Sequence, residues 1–211
     1  MTSFDCPNPT YQSTIYFYFI HSHYPFILKK LLLLGLAAIT LSAFTTLPGK
    51  LKSTISHIAF YSHTAFEDIK ANNYKSIAVL NTESGDVIIS VPMQSFEFEK
   101  RLMQKHFNQE NYLNTADFPK AKFKGSIQNM DSHDFNKSGE IALIIKGNMT
   151  IKGKTQPTTM EATALVKKGK IHLSTAFNLT LSDYGVEFTS GKPSKHIAKT
   201  IEVNATFEFN E

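Results

Sequence analysis

From about residue 54 onward the chain alternates apolar and polar residues with a period of two, the mark of strands with one buried face. The pattern is clearest near the C-terminus. There Ile201, Val203, Ala205, Phe207 and Phe209 are apolar, and Glu202, Asn204, Thr206 and Glu208 between them are polar. Ile171, Leu173, Phe177, Leu179 and Leu181 make a second apolar face, and Ile141, Leu143, Ile145, Met149 and Ile151 a third. Ala121, Phe123 and Ile127 make a fourth. Weaker alternation predicts strands over 55–61, 75–82, 87–93 and 157–166, eight in all, with a short extra strand at Val186–Thr189. Glu83-Ser84-Gly85-Asp86, Lys152-Gly153-Lys154 and Lys167-Lys168-Gly169-Lys170 carry hairpin chemistry between them.

One segment breaks the alternation. Ser95 can cap an amphipathic helix near residues 95–108, whose apolar residues fall at Phe98, Leu102, Met103 and Phe107. Pro119 closes the apolar stretch that follows. Such a helix covers one end of a sheet, a role compatible with gating a cavity.

The strands are long. Ile171 to Leu181 reaches about 36 Å at ~3.3 Å per residue, against a usual ~17–20 Å. Each is apolar on one face and polar on the other, which suits a single curled sheet. Eight antiparallel strands closed into a barrel leave no free edge and enclose room for one small ligand. The same pattern also suits a two-sheet sandwich, or a barrel filled by its own Phe and Leu side chains.

The first residues follow another rule. Lys29-Lys30, the apolar run Leu31 to Leu41 and the small residues Ser42 to Thr46 describe a secretory signal peptide over 29–45, cut near Ala43 or Thr45. From Leu31 to Phe44 a helix would span roughly 21 Å, short of the ~30 Å hydrocarbon core. The mature chain is therefore expected to have no stable membrane span. No cysteine follows the run to carry a lipid anchor. Residues 1–28 read either as sequence upstream of the true start, with Leu28 an initiation codon written as leucine, or as a long n-region. The expected location is periplasmic or secreted.

Composition narrows the function. The 211 residues include 17 Phe and 8 Tyr, and 42% are hydrophobic, enough for a core and too much for global disorder. One cysteine, Cys6, excludes a disulfide framework and a cysteine zinc cluster. The net charge is +4, and lower by one once a leader holding Lys29, Lys30 and Asp5 is set aside. Arg101 is the only arginine, and the lysines are dispersed, so no nucleic-acid partner is expected.

Candidate chemistry is sparse. His21 and His23 could chelate a metal on a strand, but they lie in the leader, and no metal site is expected. His57 and His63 have no Glu or Asp at ligand spacing, and Glu67-Asp68 is the one adjacent carboxylate pair. No Gly-x-Ser-x-Gly elbow, phosphate-binding glycine loop or His-Glu-x-x-His occurs, so no catalytic residue is assigned and no enzyme is expected. Asn136, Asn148, Asn178 and Asn204 open Asn-x-Ser/Thr triplets; the last three read as polar strand faces.

Several segments resemble the YceI-like family. These are Ile58-Ala59-Phe60-Tyr61-Ser62-His63-Thr64-Ala65-Phe66-Glu67-Asp68-Ile69, Ser95 to Asn108 with its Leu102-Met103 and His106-Phe107-Asn108, and Tyr112-Leu113. Phe118-Pro119, Phe123-Lys124-Gly125 and Gly147-Asn148-Met149-Thr150-Ile151-Lys152-Gly153 continue the match, which covers roughly 54–209. It departs at Phe188 to His196, where relatives carry a more apolar loop. The resemblance implies a lipocalin-like elongated barrel that holds a polyisoprenoid, such as an isoprenoid quinone, without catalysis. The fold expected is then mainly β, an elongated eight-stranded antiparallel lipocalin-like β-barrel with one amphipathic helix inserted near 95–108.

The expected cavity lining is Phe123, Ile127, Leu143, Ile145, Leu173, Phe177, Leu179, Val203 and Phe207 from the strands. Phe98, Leu102, Met103 and Phe107 join it near one end, with His106 at the mouth. No cofactor is expected beyond a non-covalent lipid of the polyisoprenoid or quinone type. A homodimer is compatible with the sequence, though no residue specifies its interface. The competing readings are a filled-barrel interaction module and a lipid-modifying enzyme on the same scaffold.

Overall fold

A computed structural model describes residues 49–210. The readings of 1–28 and of the signal peptide at 29–45, with His21 and His23, lie outside the described residues. Ten antiparallel strands run in chain order as β1 (Lys50–His63), β2 (Asp68–Asn73), β3 (Ile77–Asn81), β4 (Asp86–Pro92) and β5 (Glu97–Phe98). After helix α1 (Arg101–Asn108) come β6 (Lys120–Ile127), β7 (Gly139–Ile151), β8 (Lys154–Lys167) and β9 (Lys170–Thr180). The short helix α2 (Pro193–His196) precedes β10 (Thr200–Asn210).

The sheet closes. Its order is β10-β9-β8-β7-β6-β4-β3-β1, and β1 pairs in turn with β10, giving an eight-stranded barrel with β2 and β5 added on β1. Continuous ladders explain the clean alternation: β10 pairs residue for residue with β9 from Thr200↔Thr180 to Asn210↔Lys170. Every second side chain of β10, from Ile201 to Phe209, is buried. β1 departs from strict alternation, because a bulge between Ser53 and Ile55 flips its parity. Leu51 packs inward before the bulge, Ile55 is exposed after it, and Ser56, Ile58 and Ser62 are buried beyond.

The two added strands create a fork. On the side away from β10, β1 pairs with β3 through Lys50–Lys52 and with β2 through Ile58–His63. β2 and β3 are therefore one bent run of chain whose kink lies at 74–76. Asn73, fully buried, holds that kink: its Nδ2 donates to Pro92 O at 2.8 Å, and its Oδ1 accepts from Lys75 N and Ser76 Oγ. Ser56 Oγ donates to Ser76 O at 2.7 Å, so the bend has its polar groups paired.

The structure corrects three local expectations. The helix starts at Arg101 rather than Ser95, because Glu97 and Phe98 first pair with Asn72 and Ala71 of β2. Lys100 stands at its N-cap without a side-chain hydrogen bond, and Ser95 ends a 3-10 turn. Val186–Thr189 is not a strand: Val186 is buried, but its amide bonds Leu181 O and closes the turn Leu181–Tyr184. Finally β1 begins at Lys50, ahead of the alternation that starts near Thr54.

A candidate ligand-binding cavity

The barrel is packed at one end and hollow at the other. At the packed end Leu80, Val87, Ile171 and Phe209 are almost wholly inaccessible, and Phe135 from the β6–β7 connection is buried with them. At the other end the same strands enclose a cavity of about 660 Å³, within the ordinary range of small-molecule sites.

A glycine pair shapes the floor. Gly125 of β6 faces Gly147 of β7 across the ladder. A Cβ on Gly125 would fall 2.7 Å from Phe123 Cζ and into the Lys146 carbonyl, and one on Gly147 would fall 2.8 Å from the same Cζ. The Phe123 ring therefore lies along the wall over two bare backbones. Above it the strands contribute Ile89 and Val91, Met149 and Ile151, Phe177 and Leu179, and Ile201 and Val203. Phe60, Phe96, Phe98 and Phe107 form one side, with ring centroids 5.1–6.0 Å apart in tilted, edge and stacked pairs.

Two polar side chains of the wall are paired with backbone groups. Ser62 Oγ accepts the Ala198 amide at 2.9 Å, and Thr175 Oγ1 donates to Glu161 O at 2.7 Å. Among the described residues no buried side-chain nitrogen or oxygen lacks a partner. The interior thus offers carbon surface and asks for no hydrogen bond.

Charge gathers at the mouth. Glu67, from the β1–β2 turn, accepts from Lys100 Nζ at 2.9 Å and sits 3.1 Å from His196 Nδ1. The Lys100 hydrogen bond, with His196 adding to it, holds the Glu67 carboxyl below its usual range. One carboxylate thereby ties the start of α1 to α2. On the other side His106 stacks on Tyr112 at 5.7 Å and Tyr112 meets Phe188 at 4.9 Å, closing α1 against the 181–199 connection. The stretch Phe188 to His196 thus supplies Lys192, Pro193 and His196 to the rim.

Most of the expected lining meets here. Phe98, Leu102, Met103, His106, Phe107, Phe123, Phe177, Leu179, Val203 and Phe207 all border the cavity. Ile127, Leu143, Ile145 and Leu173 do not: they lie on the same inward faces but lower in the barrel, buried in the packed end. Phe60, Ile89, Val91, Met160 and the Glu67 cluster complete the site without having been expected. A Phe at position 60 in an alternating strand was the available signal; the Glu67–His196 contact spans 129 residues and left none.

The histidine reading needs one correction. Hairpin pairing sets His63 opposite Asp68, and His63 Nδ1 lies 2.6 Å from Asp68 Oδ1, lowering the Asp68 pKa. This exposed pair stands apart from the Glu67 cluster, and among the described residues no group of three ligating side chains converges on a metal site. His57 stacks on Tyr74 at 4.7 Å and meets Asn72 Oδ1.

Comparison with known proteins agrees with this architecture. The YceI-like domain profile matches residues 49–209. A UPF0312 protein of Enterobacter sp. (strain 638) is 25% identical over 130 residues, covering 58% of this chain and 63% of the relative. The chain thus spans about three-fifths of the length of the first curated relatives it matches. A polyisoprenoid binding domain from Saccharophagus degradans superposes with a TM-score of 0.65 at 10% identity, over 77% of this chain and 98% of that one. The YceI protein of Campylobacter jejuni gives 0.56 at 19% identity, over 71% and 88%.

Proposed function

The chain belongs to the YceI-like domain family, and on that footing we propose that it binds, stores or carries a long apolar ligand in its barrel without transforming it. The ligand class is a polyisoprenoid, an isoprenoid quinone or a similar lipid, held non-covalently. The observation that carries the proposal is the half-hollow barrel, a cavity of about 660 Å³ walled by carbon and open at one end. The structural neighbour from Saccharophagus degradans, a polyisoprenoid binding domain, supports the same class.

Binding is by desolvation. Each ligand CH₂ moved from water into the cavity gains roughly 0.8 kcal/mol, so a prenyl chain needs few polar contacts. The floor at Phe123 sets how deep the chain reaches, and Phe60, Phe96, Phe98 and Phe107 give it an aromatic side wall. The carrier reading assigns no catalytic role: Glu67, the carboxylate at the mouth, serves to tie Lys100 to His196. A periplasmic or secreted location belongs to the same proposal and rests on the segment 29–45. No nucleic acid enters it, since Arg101 is the only arginine.

Mass spectrometry of an organic extract of the purified protein, together with uptake of a long-chain isoprenoid quinone, tests the proposal. The expected result is a co-purifying lipid or quinone loading near one per chain. No lipid and no uptake would favour a filled barrel; turnover of the added quinone, lost in His106→Ala, would favour an enzyme.

A further inference from the structure

We propose that the open end of the barrel is a docking face for an anionic lipid bilayer. The inference takes its purpose from the carrier reading, but it stands on separate observations. Among the described residues, Phe66 and Leu102 are the most exposed large hydrophobic side chains, at 66% and 62%, and both sit at the mouth. Phe66 projects from the β1–β2 turn with its ring 5.7 Å from that of His196, and Leu102 stands on α1 at the cavity rim. Two bulky apolar groups left in water at the same end have the character of an insertion site rather than of scattered surface residues.

Cations surround them. The exposed face of α1 consists of Arg101, Leu102 and Lys105, and Lys192 and Lys195 are exposed at α2. Neither helix contains a carboxylate. Glu67, which lies between them, is engaged by Lys100 and His196. Glu97, Glu99, Glu110 and Glu187 are exposed beside the helices, and with Lys199 the exposed cations still outnumber them. At the packed end the turns after β3 and β6 carry Glu83, Asp86, Asp131 and Asp134, against Lys137, which pairs with Asp134, and the lysines of the β8–β9 turn. An apolar tip flanked by exposed basic side chains is complementary to a bilayer with anionic headgroups: Phe66 and Leu102 enter the headgroup boundary and the cations stay at the surface. Docked in this way, the cavity opens directly onto the acyl region, and a prenyl chain moves between bilayer and barrel without crossing water.

The chain contains no tryptophan, so Phe66→Trp places a single tryptophan, excited apart from the tyrosines, at the rim, outside the cavity itself. It is added in the full chain to vesicles of phosphatidylcholine, with or without about 30% phosphatidylglycerol, whose acyl chains are brominated. The expected result is a blue shift and quenching with the anionic vesicles, and little with phosphatidylcholine alone. Ile144→Trp, on the outer wall of the packed half, is expected to show neither. Adding Arg101→Gln, Lys105→Gln, Lys192→Gln and Lys195→Gln to Phe66→Trp is expected to weaken the response by about 100-fold or more in lipid concentration.

No quenching at position 66 with anionic vesicles overturns the proposal, as does quenching that is equal at position 144 or indifferent to the four substitutions. Quinone uptake by the same variants, measured without vesicles, separates the two readings. Loading without vesicle docking removes the docking face and leaves the carrier. Docking without loading does the reverse.

Discussion

The two halves of the barrel share strands and hydrophobic pattern, yet one is solid and the other hollow. β10 runs through both: Phe209 is 0% exposed in the packed half, while Ile201, Val203 and Phe207 border the cavity. The difference does not lie in how apolar the residues are. In the packed half the ring of strands is eight, and Phe135 enters from a connection to fill the axis. In the hollow half β2 takes the place of β3 beside β1, with the short β5 paired on its outer edge. The large rings there lean on something other than the axis: Phe123 on the Gly125–Gly147 pair, and Phe60, Phe96, Phe98 and Phe107 on one another. A cavity arises where the large side chains lie against the wall and one another and leave the axis unfilled.

Truncating a ring in each half breaks the comparison most sharply. Phe209→Ala opens a void in the packed half and is expected to cost about 3–5 kcal/mol in urea unfolding. Phe177→Ala only enlarges an existing cavity and is expected to cost about 1 kcal/mol. Equal losses would mean that the two halves are equally packed. Next in size is Gly147→Ala, whose methyl meets both the Lys124 carbonyl and the Phe123 ring. It is expected to cost about 1–3 kcal/mol and to turn the ring into the cavity, lowering quinone loading. Restored loading with Phe123→Ala in that background would confirm that the ring is what moved.

Val203→Phe tests the hollow half from the opposite direction. It adds volume where there is room, so stability is expected to change by less than about 1 kcal/mol while quinone loading falls at least tenfold. A large loss of stability would show that the space is not free. The smallest effect belongs to Glu67→Gln, which weakens a partly exposed tie expected to contribute no more than about 1 kcal/mol. The folded-state pKa of Glu67 lies below its ordinary value of 4.5, so its contribution is complete above that pH. It is lost as pH falls through the lower folded value. Denaturant midpoints of wild type and variant across this range are expected to converge on the acid side.

How much of this was legible in the sequence follows the same division. Alternation identifies which face a residue occupies, and for β7, β9 and β10 it did so over whole strands. It carries no information on height along the barrel. Ile127, Leu143, Ile145 and Leu173 are therefore indistinguishable by pattern from Phe123, Phe177 and Val203, although only the latter group borders the cavity. β2 escaped notice because Asp68-Ile69-Lys70-Ala71-Asn72-Asn73 has just two apolar residues. Its buried Asn73 is tolerated only through partners as far away as Pro92. β5 is two residues long, too short for any period to show. The family motifs reached the mouth segments, Phe66-Glu67 and Leu102 to Phe107, but not the tie between them, since a contact with His196 is made by the closed barrel and not by neighbours in the chain.

The kink at Asn73 to Ser76 separates two adjustments that most barrels have to make together. Because β2 and β3 are anchored on β1 by independent ladders, residues inserted at Tyr74 or Lys75 would loop out without shifting the register of either. The rim can therefore be lengthened, widened or refitted for a different guest while the foundation beneath it keeps its pairing. Capacity and durability are inherited on separate stretches of one wall.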